Sequence, residues 1–274
     1  MESRIGIIAG SGRFPLQALD MARDRGLTCV VAAIRGEAAP ELEPKADAFA
    51  WFGTAELVKL IAFFKERNVR EIILVGKVEP RTLFRKDLHD EVLARLLAQA
   101  KDETSTSVLE SLIEFLGTQG IVVLDPSFFL EPYFCGEGVL TRIAPSPEIL
   151  KDIEFGWTRA KSVADLDIGQ TLVVKNKAIV AVEDAEGTDE TIKRAGRLAG
   201  EGAVVLKVGR TRQDMRIDVP AVGLKTMKGL VGIRAAALAI EARNVLFFQK
   251  GESLEMADAN GITVVAGKQG TWTK

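Results

Sequence analysis

Arg4-Ile5-Gly6-Ile7-Ile8-Ala9-Gly10-Ser11-Gly12-Arg13-Phe14-Pro15 decides the fold of the first half of this chain. Arg4–Ala9 is an apolar run of the length of a buried strand, and Gly10-Ser11-Gly12 breaks it. Beyond the glycines, Phe14, Leu16, Leu19, Met21 and Ala22 recur at helical spacing, which predicts a helix over Phe14–Asp24. Pro15 suits the first helical turn, where no amide donor is needed. A strand, a glycine turn and a helix open a Rossmann-like unit. Glycines let backbone amides approach a phosphate, and a helix N-terminus adds partial positive charge. Gly10, Ser11 and Gly12 are therefore candidate substrate-binding residues. As a dinucleotide fingerprint the loop lacks its third glycine, and the next strand ends in Arg35 instead of an acid for a ribose. Taken alone, the loop is equally compatible with a bare strand-to-helix turn.

Working outward, Leu27–Ile34 reads as a second strand and Thr54 as the cap of a helix carrying Leu57, Leu60, Ile61 and Phe64 on one face. Glu71–Val75 is a third strand running into Gly76-Lys77-Val78. The stretches His89–Ala100 and Ser107–Leu116 read as helices, and Gly120–Leu124 as a strand. Such alternation implies a parallel sheet with helices on both faces, and ligands lie beyond the carboxyl ends of such strands. Gly76 and Lys77 fall there with the Gly10 loop, and Lys77 and Arg81 could receive a pyrophosphate; a solvated loop is the alternative. Pro132, Gly136, Gly138, Pro145 and Pro147 crowd the segment Glu131–Pro147 and mark a crossing between domains. The division expected is a Rossmann-like domain over 1–135 and a mixed α/β catalytic domain over 136–274.

In the second half, Thr171–Val174 and Ala178–Val182 flank Lys175-Asn176-Lys177 as a hairpin. Thr188–Leu198 reads as a helix capped by Thr188, Ala203–Val208 as a strand, and Gly223–Gly232 as a short helix. Ala235–Ile240 and Val245–Phe248 read as strands, Ser253–Ala259 as a helix and Ile262–Val265 as the last strand. The fold class is α/β, a parallel-sheet N-terminal domain followed by a mixed one.

Composition narrows the functions open to such a chain. Its 274 residues suffice for two cores, and 47% hydrophobic with 27% charged residues is ordinary for a globular protein. A formal net charge of -2, from 36 basic and 38 acidic residues, argues against a large nucleic-acid surface. Two cysteines (Cys29, Cys135) and one histidine (His89) exclude a disulfide scaffold and a zinc site built from three or four Cys and His ligands. His89 reads as a surface residue and Cys29 as a small core residue. The pairs Phe63-Phe64 and Phe128-Phe129 read as core, with some able to line an acyl groove. No apolar run reaches the ~20 residues a membrane span needs, and no export signal opens the chain. A soluble cytoplasmic protein is expected.

Two stretches of the second half carry chemistry. Val182 through Glu190 ends a strand and begins a helix whose Asp189 and Glu190 complement the helix dipole. Lys207-Val208-Gly209-Arg210-Thr211-Arg212-Gln213-Asp214-Met215-Arg216-Ile217-Asp218-Val219-Pro220 follows a strand. If extended, it sets Asp214, Arg216 and Asp218 on one face. Carboxylates of this kind hold a hard cation or orient a water, and arginines clamp phosphate oxygens. A salt-bridged surface strand is the alternative.

Taken in order, these motifs resemble one family. Ala9 through Pro15, Gly76-Lys77-Val78, Leu166-Asp167-Ile168-Gly169-Gln170, Val182-Glu183 through Asp189, Gln213 through Gly223, and Ala257 through Ile262 are similar to the UDP-2,3-diacylglucosamine pyrophosphatase family called LpxI. The resemblance covers nearly the whole chain. It implies a Rossmann-like domain joined to a second domain, the lipid product held between them, magnesium dependence and a homodimer. It implies that Asp218 is the essential carboxylate and a metal ligand together with Asp189. It also implies that Glu186, Thr188, Lys207 and Gln213 bind substrate. One departure is Thr104-Ser105-Thr106-Ser107, where many members carry an acidic pair.

The activity expected is magnesium-assisted hydrolysis of UDP-2,3-diacylglucosamine to lipid X and UMP, with Asp218 aiming water or metal and Lys77 or Lys207 on phosphate oxygens. Contact with the inner face of the cytoplasmic membrane would come through the substrate alone. The rivals are an NAD(P)-dependent oxidoreductase and a non-catalytic nucleotide-sugar or lipid carrier.

Overall fold

A computed structural model describes residues 3–54, 56–78, 96 and 105–272. The chain forms two compact units. One comprises Met1–Leu130 with Asp214–Asp218, the other Glu131–Gln213 with Val219–Lys274.

The first unit is built on β1 (Arg4–Ala9), α1 (Phe14–Asp24), β2 (Thr28–Ile34), β3 (Ala48–Phe52), α2 (Leu57–Glu66), β4 (Glu71–Val75), α3 (Ser105–Thr118), β5 (Val122–Val123) and the short α4 (Ser127–Leu130). Its five strands lie in the order β3-β2-β1-β4-β5, all parallel. The chain winds outward from β1 through β2 to β3 and then returns to the other side of β1. The switch point therefore falls between β1 and β4. Ile5, Ile7 and Ala9 pack with α1 on one face, while Val30, Ala32 and Ile72 pack with α2 and α3 on the other. Alternation along strands covered on both faces gives the near-continuous apolar runs read in the sequence.

Three readings of this unit change, and α4 was not read in the sequence. The strand β3 was passed over, its alternation blurred by half-buried aromatic residues. Thr54 does not cap α2: Glu56 stands at the N-cap, and its carboxylate accepts the Gly53 amide at 2.9 Å. Phe128 is 64% exposed, stacked beneath the Arg25 guanidinium at 4.3 Å, whereas Phe63, Phe64 and Phe129 are core. Cys29 is buried as expected, and so is Cys135. Arg81, His89, Thr104 and the helical reading of His89–Ala100 lie outside the described residues, Leu96 excepted.

The second unit contains β6 (Gly138–Val139), α5 (Pro147–Asp165), β7 (Thr171–Lys175), β8 (Ala178–Val182), α6 (Thr188–Ala199), β9 (Val204–Lys207), β10 (Ala221–Val222), α7 (Leu224–Gly232), β11 (Ala237–Glu241), β12 (Leu246–Phe247), α8 (Lys250–Ala259) and β13 (Thr263–Gly267). Six strands form a mixed sheet ordered β6-β13-β11-β9-β7-β8, with β13, β11 and β9 parallel and β7 antiparallel to both its neighbours. The strands β10 and β12 pair separately. The β7–β8 hairpin turns on Asn176 and Lys177, both at left-handed φ near 50–60°. Buried Asp152 accepts the two turn amides at 2.8 and 2.6 Å.

Asp152 belongs to a helix absent from the sequence reading, in which the prolines 145 and 147 counted only as breakers. The Ser146 hydroxyl in fact caps α5, accepting the Ile149 amide at 3.3 Å, and Pro147 occupies the first turn. Ile153, Trp157, Ala160 and Ala164 form its buried stripe against β7 and β9.

Candidate active site

The two glycine loops of the first unit, separated by about 65 residues in sequence, meet at the β1/β4 switch point. The Gly10 amide donates to the Val75 carbonyl at 2.8 Å, and the Ser11 amide donates to the Lys77 carbonyl at 2.7 Å. The Lys77 amide returns a bond to the Ser11 carbonyl at 3.1 Å, and the Ser11 hydroxyl adds another to the Lys77 carbonyl at 2.8 Å. The glycines permit this approach: a Cβ on Gly10 would lie 2.4 Å from the Lys77 oxygen, and one on Gly76 2.6 Å from the Ser11 oxygen. The Gly10 and Ser11 amides are thus spent on the neighbouring loop. What this edge presents outward is Gly12, the start of α1 and the exposed Lys77 side chain.

In the second unit four segments meet at one buried ion pair. Lys207, at the carboxyl end of β9, is 5% exposed, and Glu183, just past β8, is 8% exposed. The Lys207 ammonium donates to Glu183 Oε2 at 3.0 Å, Thr171 Oγ1 at 3.0 Å and Thr188 Oγ1 at 2.9 Å. An ammonium has three hydrogens, and all are used here. Glu183 also accepts the Gln170 amide at 3.1 Å and the Thr188 hydroxyl at 2.7 Å. Burial works to raise its carboxyl, but the Lys207 charge and the hydroxyls of Thr171 and Thr188 outweigh burial and hold it below the usual range. Gly169 lies against this carboxylate's backbone, where a Cβ would stand 2.1 Å from the Glu183 oxygen.

These contacts bear on two readings. Thr188 does not cap α6; Gly187 occupies that position, and the Thr188 hydroxyl turns into the ion pair. Lys207, read as a phosphate clamp, has every ammonium hydrogen already bonded within the cluster.

The segment after β9 is also not extended. It is pinned residue by residue, with the Val208 amide on the Gln170 carbonyl, the Gly209 amide on Glu241 and the Arg210 amide on Gln213 Oε1. The Thr211 amide and hydroxyl bind Asp165, while the Arg210 guanidinium meets Asp167. Lys161 donates to the Gly209 carbonyl at 2.6 Å and pairs with Glu241 at 3.1 Å. Asp214–Asp218 then forms a turn closed by the Ile217 and Asp218 amides on the Asp214 carbonyl, so the expected alternation does not occur. The Asp214 carboxylate takes the Arg216 amide and guanidinium, and the Arg216 bonds hold its carboxyl below the ordinary value. Asp218 is exposed. Of the two aspartates, Asp214 is committed to the turn and Asp218 stands at its surface.

Glu186 is bound by Arg194 and by the Thr191 hydroxyl, and Asp189 accepts the Lys225 ammonium at 2.7 Å. Among the described residues no group of three or more His, Cys, Asp or Glu side chains is gathered to hold a metal ion. Among the described residues the carboxylates of Asp214, Glu186 and Asp189 each face a cation of the chain itself, Arg216, Arg194 and Lys225 respectively. Sequence reasoning gave no role to Glu183, Thr171, Lys161, Asp165 or Glu241. A signal existed at Glu183 and Lys207, each a charge closing an otherwise apolar strand.

The fold and these edges define a two-unit α/β protein with a Rossmann-like first sheet. Polar residues gather at the carboxyl edges of both of its main sheets. Residues 4–133 match the LpxI N-terminal domain and residues 136–265 the LpxI C-terminal domain, and the chain belongs to the LpxI family. It is similar to the UDP-2,3-diacylglucosamine pyrophosphatase LpxI of Caulobacter vibrioides, at 25% identity over 276 residues and 96% of each chain. Among solved structures, the biotin carboxylase subunit of pyruvate carboxylase matches 73% of this chain at 13% identity and a TM-score of 0.29. A biotin carboxylase of Campylobacter jejuni matches 71% at 12% identity and a TM-score of 0.24. The chain spans 42% of the length of each of these two. No helix among the described residues is long and apolar enough to cross a membrane.

Proposed function

We propose that this protein hydrolyses the pyrophosphate of UDP-2,3-diacylglucosamine to UMP and lipid X, a step of lipid A biosynthesis. The observation that carries this reading is membership in the LpxI family over both halves of the chain, joined to a curated relative of that name aligned over 96% of it. The geometry supports specific roles. Lys77, exposed beside the switch point, has the charge and reach to hold phosphate oxygens. Asp218, exposed at the end of its turn and followed by Val219-Pro220, is the carboxylate able to take a proton from an attacking water at its side-chain oxygen. Asp214 is spent on Arg216.

Magnesium dependence, a homodimer and cytoplasmic action on a membrane-derived lipid are further parts of this reading. A magnesium ion, when bound, supplies charge neutralisation on phosphate oxygens, and such ions take few protein ligands and keep several waters. The test is to incubate purified protein with UDP-2,3-diacylglucosamine, with and without magnesium, and to quantify UMP and lipid X. Release of both with magnesium and loss after exhaustive chelation is expected. Binding without UMP release would make the protein a carrier, and turnover with verified absence of metal would remove the magnesium.

A further inference from the structure

We propose that Glu183 and Lys207 are positioning residues: their buried ion pair fixes the carboxyl edge of the second sheet for the reaction, with neither side chain touching substrate. The proposal rests on the hydrolase reading above. Four pieces of chain meet at the pair: Gln170-Thr171 at the start of β7, Glu183 after β8, Thr188 at the start of α6, and Lys207 at the end of β9. Lys207 leads directly into the pinned segment Val208–Gln213, whose continuation carries Asp218. Leu166 to Gln170 and Val182 to Asp189, which supply two sides of the cluster, are among the six stretches on which the family resemblance rests.

Stability alone gives weak reason for such a device. Removing two charges from water costs several kcal/mol per ion, and well-packed apolar replacements of buried pairs are often no less stable. What the pair supplies that apolar packing cannot is direction. Three hydrogens on one nitrogen point at three acceptors from three segments, and each acceptor is held within 2.9–3.0 Å. Catalysis is sensitive on that scale, since a displacement of about 1 Å far from the chemistry can lower a rate by about a hundredfold. With its three hydrogens engaged inside the cluster, the Lys207 ammonium is placed differently from the exposed Lys77 side chain.

The experiment compares wild type, Glu183→Gln, Lys207→Met and the double variant for kcat, KM and Tm, using release of UMP from UDP-2,3-diacylglucosamine. Each single variant leaves a buried charge without its partner and is expected to lower Tm. The double variant is expected to recover most of the Tm while kcat stays down by about tenfold or more and KM changes by less than about twofold. Recovery of Tm and kcat together would overturn the proposal, and so would a loss confined to KM, which would make Lys207 a substrate ligand. Should the double variant not fold, Thr171→Val decides: it removes one hydroxyl and no charge, so kcat should fall by about threefold or more with KM unchanged. Thr171→Ser, which restores the hydroxyl, should recover the lost turnover. Full kcat in Thr171→Val would equally overturn the proposal. If wild type releases no UMP, the hydrolase reading fails instead.

Discussion

The carboxyl edges of the two sheets are organised by opposite means. At the β1/β4 switch point, backbone meets backbone: Ser11 and Lys77 exchange amides and carbonyls, two glycines make room, and the lysine side chain remains outside. At the β7-β8-β9 edge, side chains do the joining, through a buried ion pair and two hydroxyls. A site tied by its backbone can vary its side chains without unfolding. A site tied by buried charges loses shape and charge together. Function and stability should therefore separate cleanly in the first unit and poorly in the second.

The largest expected effect concerns Asp218, the exposed carboxylate at the end of its turn. Asp218→Asn keeps the side chain's shape and removes its charge, so kcat should fall by at least about a hundredfold with KM little changed. Asp214→Asn instead weakens the clasp on Arg216 and should show first in stability. Steady-state kinetics on both variants check this, and near-normal kcat in Asp218→Asn with loss in Asp214→Asn would reverse the assignment.

How far each region could be read from sequence follows the same division. The Gly10 and Gly76 loops were legible because glycine at a strand end has few uses, and strand–helix alternation puts both loops at one edge. Their mutual lock was not legible, since local pattern carries no partner, and the Gly10 and Ser11 amides taken as phosphate donors donate to the carbonyls of Val75 and Lys77. The β7–β8 hairpin was legible from two alternating runs. The helix α5 was not, because Ser146-Pro147 was read for its proline and not as a cap. Lys207 and Thr188 were singled out as substrate ligands, and the structure places both in the buried cluster with Glu183, which local pattern could not show. A buried pair 24 residues apart leaves no periodicity to find.

Two glycines with nearly the same backbone sharpen the comparison next. Gly12 and Gly76 sit at φ +97° and +88°, but a Cβ on Gly12 meets nothing within 4 Å, whereas one on Gly76 strikes the Ser11 oxygen. Gly12→Ala should lose about 1 kcal/mol for the left-handed backbone alone. Gly76→Ala should lose about 1–3 kcal/mol more for the overlap. Chemical denaturation gives both values, and equal losses would mean that the loops are not locked. A smaller effect is expected at Lys77, whose bonds to Ser11 are made by its backbone. Lys77→Ala should leave Tm unchanged and raise KM by about tenfold, the loss of one charged contact to phosphate. A fall in Tm comparable with that of Lys207→Met would erase the distinction between the two edges.

The last expectation is a change of slope with pH. The Glu183 carboxyl is pushed up by burial and, more strongly in sum, pulled down by Lys207, Thr171 and Thr188, so it lies below its usual value in the folded protein. A carboxyl depressed by folding contributes stability that is complete above its unfolded value, about 4.3, and that disappears as pH falls through the folded value. Glu183→Gln cannot titrate there. The stability gap between wild type and Glu183→Gln should therefore be widest near neutral pH and narrow below about pH 4. Other carboxyls are depressed as well: Asp214 by its bonds to Arg216, Asp165 by the Thr211 amide and Glu186 by Arg194. Asp214 and Asp165 do not feel Glu183 and cancel in the difference, whereas the Glu183 charge pushes the Glu186 carboxyl up, so Glu186 falls further in Glu183→Gln and works against part of the gap. Denaturation midpoints measured across the acid range give the gap directly. A gap that stays constant to well below about pH 4 would mean that Lys207 does not hold the Glu183 carboxylate, and the contrast between the two edges would lose its electrostatic half.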